Sequence, residues 1–166
     1  TEFSTNGRVE EIPTRDGMLT VGIIQTDNPM MGPYIRSKGG PHADWVIIRT
    51  SGGNVMIFTR DQHTNRRYLP DIISLLRICE MRAADDLRQI SFEDLRRDGI
   101  IPQSPQWMLY TPGVFLLNGS ETNPRVQPTR LTDRDLSFIL TMGTNPEMFE
   151  ENRQTQLSDF MRTRYI

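Results

Sequence analysis

The chain has 166 residues, a formal net charge of −2 and a sequence pI near 5.7, enough for one well-buried core and unlike a histone-type nucleic-acid binder. Its single cysteine excludes an internal disulfide and a cysteine-rich zinc centre, and no apolar run approaches the roughly eighteen residues of a membrane-spanning helix. One intracellular domain over residues 1–166 is expected, and the start at Thr1 suggests a piece of a larger protein.

Of the 19 basic residues only Lys38 is a lysine. Guanidinium suits bidentate contacts with phosphate or carboxylate, although codon bias explains the excess equally well.

Taken in order, Arg8–Ile12 reads as a short strand, and Asp16-Gly17 as a turn into Met18–Gln25, where Leu19, Val21 and Ile23 alternate with smaller or polar residues. Asp27–Gly40 contains Pro29, Gly32, Pro33 and Gly39-Gly40 and reads as an irregular connection, with Met30, Met31 and Tyr34 as packing or binding residues. Ala43–Arg49 and Asn54–Thr59 are rich in β-branched and aromatic residues and flank Ser51-Gly52-Gly53, which predicts a hairpin.

After a polar loop at Arg60–Arg67, Pro70 and Asp71 suit the first turn of a helix starting near Leu69. Ile72, Leu75, Leu76, Cys79 and Ala83 form its apolar stripe, with Ser74 and Arg77 falling mostly off it. Ser91 and Asp94 stand at capping-box spacing for a second helix that Gly99 can end. Trp107–Tyr110 and Val114–Leu117 predict another hairpin, turned by Thr111-Pro112-Gly113 with the glycine in the left-handed position.

Ser120–Arg130 is a long polar loop, Thr132 and Asp135 cap a helix to about Met142, and Asn145-Pro146 starts a terminal helix carrying Met148, Phe149, Leu157, Phe160 and Met161. Strands first and helices last predict an α+β domain, a mixed, mainly antiparallel sheet with a long amphipathic helix on one face.

Few residues offer chemistry. Cys79 lies in the apolar stripe, where a thiol is ordinarily an inert small hydrophobe, so His42, Asp44 and His63 have no nucleophile to serve. Two histidines alone make no ordinary zinc centre. Glu10-Glu11, Asp85-Asp86 and Glu150-Glu151 are neighbours in sequence and diverge in space, which excludes acid/base dyads. Gly39-Gly40 and Gly52-Gly53 lack the phosphate-loop pattern. Arg66-Arg67 and Arg96-Arg97 are surface clusters that could also contact phosphate. Asn118-Gly119-Ser120 matches a glycosylation acceptor, but a turn is the better reading.

Three segments carry a family resemblance: Val9-Glu10-Glu11-Ile12 with Thr14, then Leu19–Ile24, then Ala43–Phe58 followed by Arg60-Asp61-Gln62 and the helix Pro70–Met81. Together they resemble the cap-binding domain of the second basic polymerase subunit of orthomyxoviruses, over about half of the chain. The resemblance implies a non-catalytic module of a viral RNA polymerase that holds the methylated cap of host messenger RNA for a neighbouring endonuclease. It implies other viral polymerase subunits and capped RNA as partners, the host nucleus as location, and neither cofactor nor membrane.

That family stacks the methylguanine between two aromatic rings, with an acid and a lysine reading the base. Here the ring positions fall near Gln25 and Thr26 and near Ile78 and Cys79, the lysine near Arg49 and Thr50, and the acid within Met30–Gly32. No ring or acid stands at any of them, so cap affinity is expected to be weak or lost, with Arg49 left to hold phosphate. Tyr34, Trp45, Tyr68 and Trp107 are rings that could stack a base from unmatched positions. The alternatives are a protein-interaction module using a Met/aromatic patch with arginine anchors, and an enzyme whose site is assembled from scattered residues.

Overall fold

Trp45–Arg49 is a run of β-branched and aromatic residues without alternation, the pattern of a strand covered on both faces. In the computed structural model, which describes residues 2–14, 17–119 and 124–145, this run is an interior strand of a seven-stranded sheet, next to the central one. In chain order the strands are β1 (Arg8–Thr14), β2 (Gly17–Gln25), β3 (Trp45–Arg49), β4 (Val55–Thr59), β5 (Gly99–Ile101), β6 (Ser104–Tyr110) and β7 (Phe115–Leu117). Their spatial order is β1-β2-β3-β4-β7-β6-β5, and β2 with β3 is the only parallel pair among them. The fold is α+β, as the element pattern predicts.

The helices are α1 (Glu2–Asn6), α2 (Met31–Arg36), α3 (Gln62–Asn65), α4 (Leu69–Ala83), α5 (Phe92–Leu95) and α6 (Asp133–Gly143). Pro70 stands in the first turn of α4, where its missing N–H would have no partner anyway. The predicted stripe of α4 joins Trp45, Ile47, Val55, Ile57 and Trp107 in the main core, together with Leu136, Ile139 and Leu140 of α6. Thr132 and Asp135 form a full capping box on α6.

The polar side of α4 is buried as well. Ser74, Arg77, Glu80 and Arg82 are each at most 3% exposed; the strand β6, the turn after α5 and the segment at Thr129–Arg130 close over Arg77 and Glu80, and Arg82 donates to the carbonyls of Asp86 and Arg88. On the opposite side of the sheet α1 and α2 make a smaller core, in which Phe3, Met31 and Ile35 meet Ile24, Val46 and Ile48.

Several local expectations are corrected. The connection after Asp27 is not wholly irregular, since Asn28 Oδ1 accepts from Met30 N at 3.0 Å and sets up α2, with Pro33 in the opening turn where it removes no needed donor. The polar stretch after Thr59 contains α3, with Asp61 accepting from Thr64 N at 2.9 Å. The helix α5 ends at Leu95, and Gly99 instead opens β5 with φ +77°.

At the β6–β7 turn the left-handed residue is Val114, at φ 57°, and not Gly113. The glycine is required for another reason, as a Cβ there would lie 2.5 Å from the Phe115 ring. The terminal helix expected from Asn145-Pro146 lies outside the described residues.

Candidate functional site

Where β2 ends, Thr26 N donates to Arg49 O, and the chain turns away from β3 towards α2. This divergence opens a cleft of about 370 Å³ on the side of the sheet opposite α4. Its floor is Ile48, Met56 and Phe58; its rim is Thr26, Asp27, Asn28, Thr50 and the α2 residues Gly32, Pro33 and Arg36.

The rim is held by local hydrogen bonds. Thr26 Oγ1 makes a short contact with Glu2 Oε1 and accepts from Asn28 N at 3.0 Å, while Asn28 Nδ2 donates to Glu2 Oε2 at 3.3 Å. Asp27 accepts from Ser51 N at 2.9 Å, and that donor holds its carboxyl below the usual range, so the group is ionised at neutral pH. Arg36 lies over the Phe58 ring, 5.3 Å from its centroid, and donates to Gly32 O and Thr59 O; burial lowers its pKa without removing its charge at neutral pH.

The cleft therefore offers an apolar floor with one ring, one cation and one anion. It can hold a small, partly apolar group and contains no paired nucleophile and base. Among the described residues no cluster of His, Cys, Asp and Glu is placed to hold a metal ion. Cys79 is fully buried, whereas His42 and His63 are exposed, so these three make no catalytic pair. No helix among the described residues is long and apolar enough to cross a membrane.

The candidate binding residues are not brought together. Trp45 and Trp107 are fully buried in the main core, and Tyr68 is 5% exposed there with its hydroxyl accepting from Arg67 Nη2. A base cannot stack on rings so placed. Tyr34 lies on the other side of the sheet, half-buried against the smaller core.

Arg49 is also committed. Its Nη2 donates to Asp133 Oδ1 at 3.0 Å and Leu131 O at 2.9 Å, and its Nη1 donates to Gly53 O at 3.2 Å. This guanidinium clips the β3–β4 hairpin to the start of α6, so it is not a free phosphate anchor. Asn118 is fully buried as well, with its side chain bonded to Gln106 O, Gln127 O and Thr129 N, which excludes it as a glycosylation acceptor in the folded chain.

Phe58 and Arg36, the ring and cation of the cleft, stand at none of the positions that the resemblance marks. The signal was the alternation of Met56 and Phe58 with Val55, Ile57 and Thr59, which points them to the face away from α4. Compared with known proteins, the chain matches no family model, no curated protein and no solved structure.

Proposed function

We propose that this chain is a non-catalytic, cap-binding-like module of a viral RNA polymerase subunit, working beside the other polymerase subunits in the host nucleus, with its affinity for the cap weak or lost. One observation carries the reading. Of the residues near which the resemblance puts a stacking ring (Gln25, Thr26) and the base-reading lysine (Arg49, Thr50), Thr26 and Thr50 line the cleft beside α2 without ring or charge, and Arg49 spends its charge on Asp133. The other ring position, near Ile78 and Cys79, is buried in the main core on the α4 side of the sheet, so the reading keeps the fold and not a base-binding site.

Base–aromatic stacking contributes about 1–3 kcal/mol per ring, so losing both removes roughly 2–6 kcal/mol. At about 1.4 kcal/mol per tenfold, a micromolar site moves towards or past the millimolar range. Calorimetric titration with methyl-GTP beside plain GTP tests this. Weak or absent binding without preference for the methylated base is expected, and a low-micromolar, methyl-selective constant overturns the proposal.

A further inference from the structure

The chain contains the dipeptide Asn-Gly twice, at Asn6-Gly7 and at Asn118-Gly119. In this dipeptide the glycine amide nitrogen can attack the asparagine side-chain carbonyl and close a cyclic imide, because no side chain on the glycine hinders the approach. The fold treats the two copies in opposite ways.

Asn118 is fully buried, and its side-chain amide is bonded at both ends. Nδ2 donates to Gln106 O and Gln127 O at 3.0 Å each, and Oδ1 accepts from Thr129 N at 2.9 Å. Its own backbone N–H donates to Val55 O where β4 meets β7. Turning this side chain onto the Gly119 nitrogen breaks all of these bonds together, which amounts to opening the sheet.

Asn6 is exposed and ends α1, a helix of five residues. Its side chain makes no hydrogen bond among the described residues. One bond guards the nucleophile, from Gly7 N to Phe3 O at 2.8 Å. A helix this short is marginal on its own and opens from its end, so the guard is lost by local fraying and not by unfolding. What holds α1 down is Phe3 in the smaller core and Glu2, bonded to Thr26 and Asn28 on the rim of the cleft.

The reactive glycine is fixed by packing, since a Cβ at Gly7 would overlap the Phe3 ring and carbonyl. The position of the modification is therefore tied to the seating of α1: the same residue that lets Phe3 pack closely is the one that attacks Asn6.

We propose that Asn6 is a site of spontaneous deamidation to isoaspartate, and that the change releases α1 from the rim of the cleft. Gly7 N gives its proton to solvent base and bonds to Asn6 Cγ, and the Cγ–Nδ2 bond breaks with ammonia as the leaving group. Water then opens the imide. Its attack at Cγ gives aspartate, and its attack at the backbone carbonyl carbon of Asn6 breaks the bond from that carbon to Gly7 N and gives isoaspartate. Nothing is oxidised or reduced. Either product puts a carboxylate at the C-terminal end of α1, where the helix dipole disfavours it. Isoaspartate also lengthens the main chain between Phe3 and Gly7, so Gly7 N no longer meets Phe3 O while the ring stays packed over the glycine. The inference is independent of the cap-binding-like reading.

The test incubates the folded 166-residue chain at mildly alkaline pH and follows Asn6 and Asn118 by peptide mapping, with isoaspartyl methyltransferase as the probe for the isomer. Asn6→Gln, aged in parallel, removes the reactive group at an exposed position. In the native chain Asn6 is expected to react on the order of tenfold or more faster than Asn118, and in urea the two should react at similar rates, because neither is then protected. Aged wild type should exchange the amide hydrogens of residues 3–7 several-fold faster than fresh protein, and aged Asn6→Gln should not. Equal native rates at the two asparagines overturn the proposal. So does an intact native Asn6 after an interval in which both asparagines have reacted in urea. Isoaspartate at residue 6 with unchanged exchange over residues 3–7 overturns the release of α1.

Discussion

The indole nitrogen of Trp107 donates to Glu80 Oε1 at 2.9 Å, and both side chains are buried between α4 and β6. Glu80 also accepts from Thr129 Oγ1 and, at 3.0 Å, from Arg130 N, so one carboxylate ties the sheet and the segment before α6 to the long helix. Trp107→Phe keeps an aromatic ring but leaves that carboxylate short of a donor. A loss of about 1–3 kcal/mol is expected from the urea unfolding midpoint, and a loss below about 0.5 kcal/mol would show that the bond is dispensable.

One turn earlier Arg77 does the complementary task. It is fully buried and donates to the carbonyls of Leu95, Arg97, Gly99 and Trp107, and burial lowers its pKa to about 10. Lysine is a point charge without the planar fork, so Arg77→Lys should leave two or more of these carbonyls unpaired. At about 1–3 kcal/mol for each such group, a destabilisation of at least about 2 kcal/mol is expected in denaturant titration. Equal stability of the lysine variant would mean that the fork geometry does not matter.

Cys79 is fully buried on α4 among core residues. Its thiol should therefore react with a maleimide only as fast as the fold opens, and adding urea through the unfolding transition should accelerate labelling sharply. Immediate stoichiometric labelling of the native chain would contradict this burial.

Acid stability follows from the lowered carboxylates. The backbone N–H of Thr64 holds Asp61 below its usual pKa of 3.8, so the folded state binds fewer protons than the unfolded one as the pH falls past that value. Stability from this group is present above the usual value and is lost as pH drops through the folded one. Asn can accept the same N–H and cannot titrate, so Asp61→Asn should leave the melting temperature at pH 7 nearly unchanged and flatten its decline below pH 4. Parallel melting curves for the two proteins between pH 5 and pH 2 would refute the assignment.

What was readable in the sequence was local. The β3–β4 hairpin, the start of α4 at Leu69 and the Thr132–Asp135 capping box depend on residues within a few positions of one another. What escaped depends on distant parts of the chain. Arg77 falls mostly off the apolar stripe, yet it is buried, and the partners of Arg77 and of its neighbour Glu80 come from Leu95 to Arg130. Arg49 reads as a free cation until Asp133, far along the chain, meets it. Trp45 and Trp107 could be assigned to stacking only while the covering of their strands was unknown. The cleft needed three separate segments, β2's end, α2 and the β3–β4 hairpin, to converge.

The strand order also has a kinetic consequence. The strands β1 to β4 are successive in space, as are β5, β6 and β7, and the two groups join along the β4–β7 seam, where Met56 meets Leu117 and Ile57 meets Leu116, with Asn118 N donating to Val55 O beside them. Each group can form from neighbours in sequence, but this seam must close a long loop containing all of α4, at an entropic cost that its few pairs do not recover until the core has assembled. The seam is therefore expected to form late: Leu116→Ala should speed unfolding far more than it slows folding, which places the rate-limiting barrier of this chain before its sheet is whole.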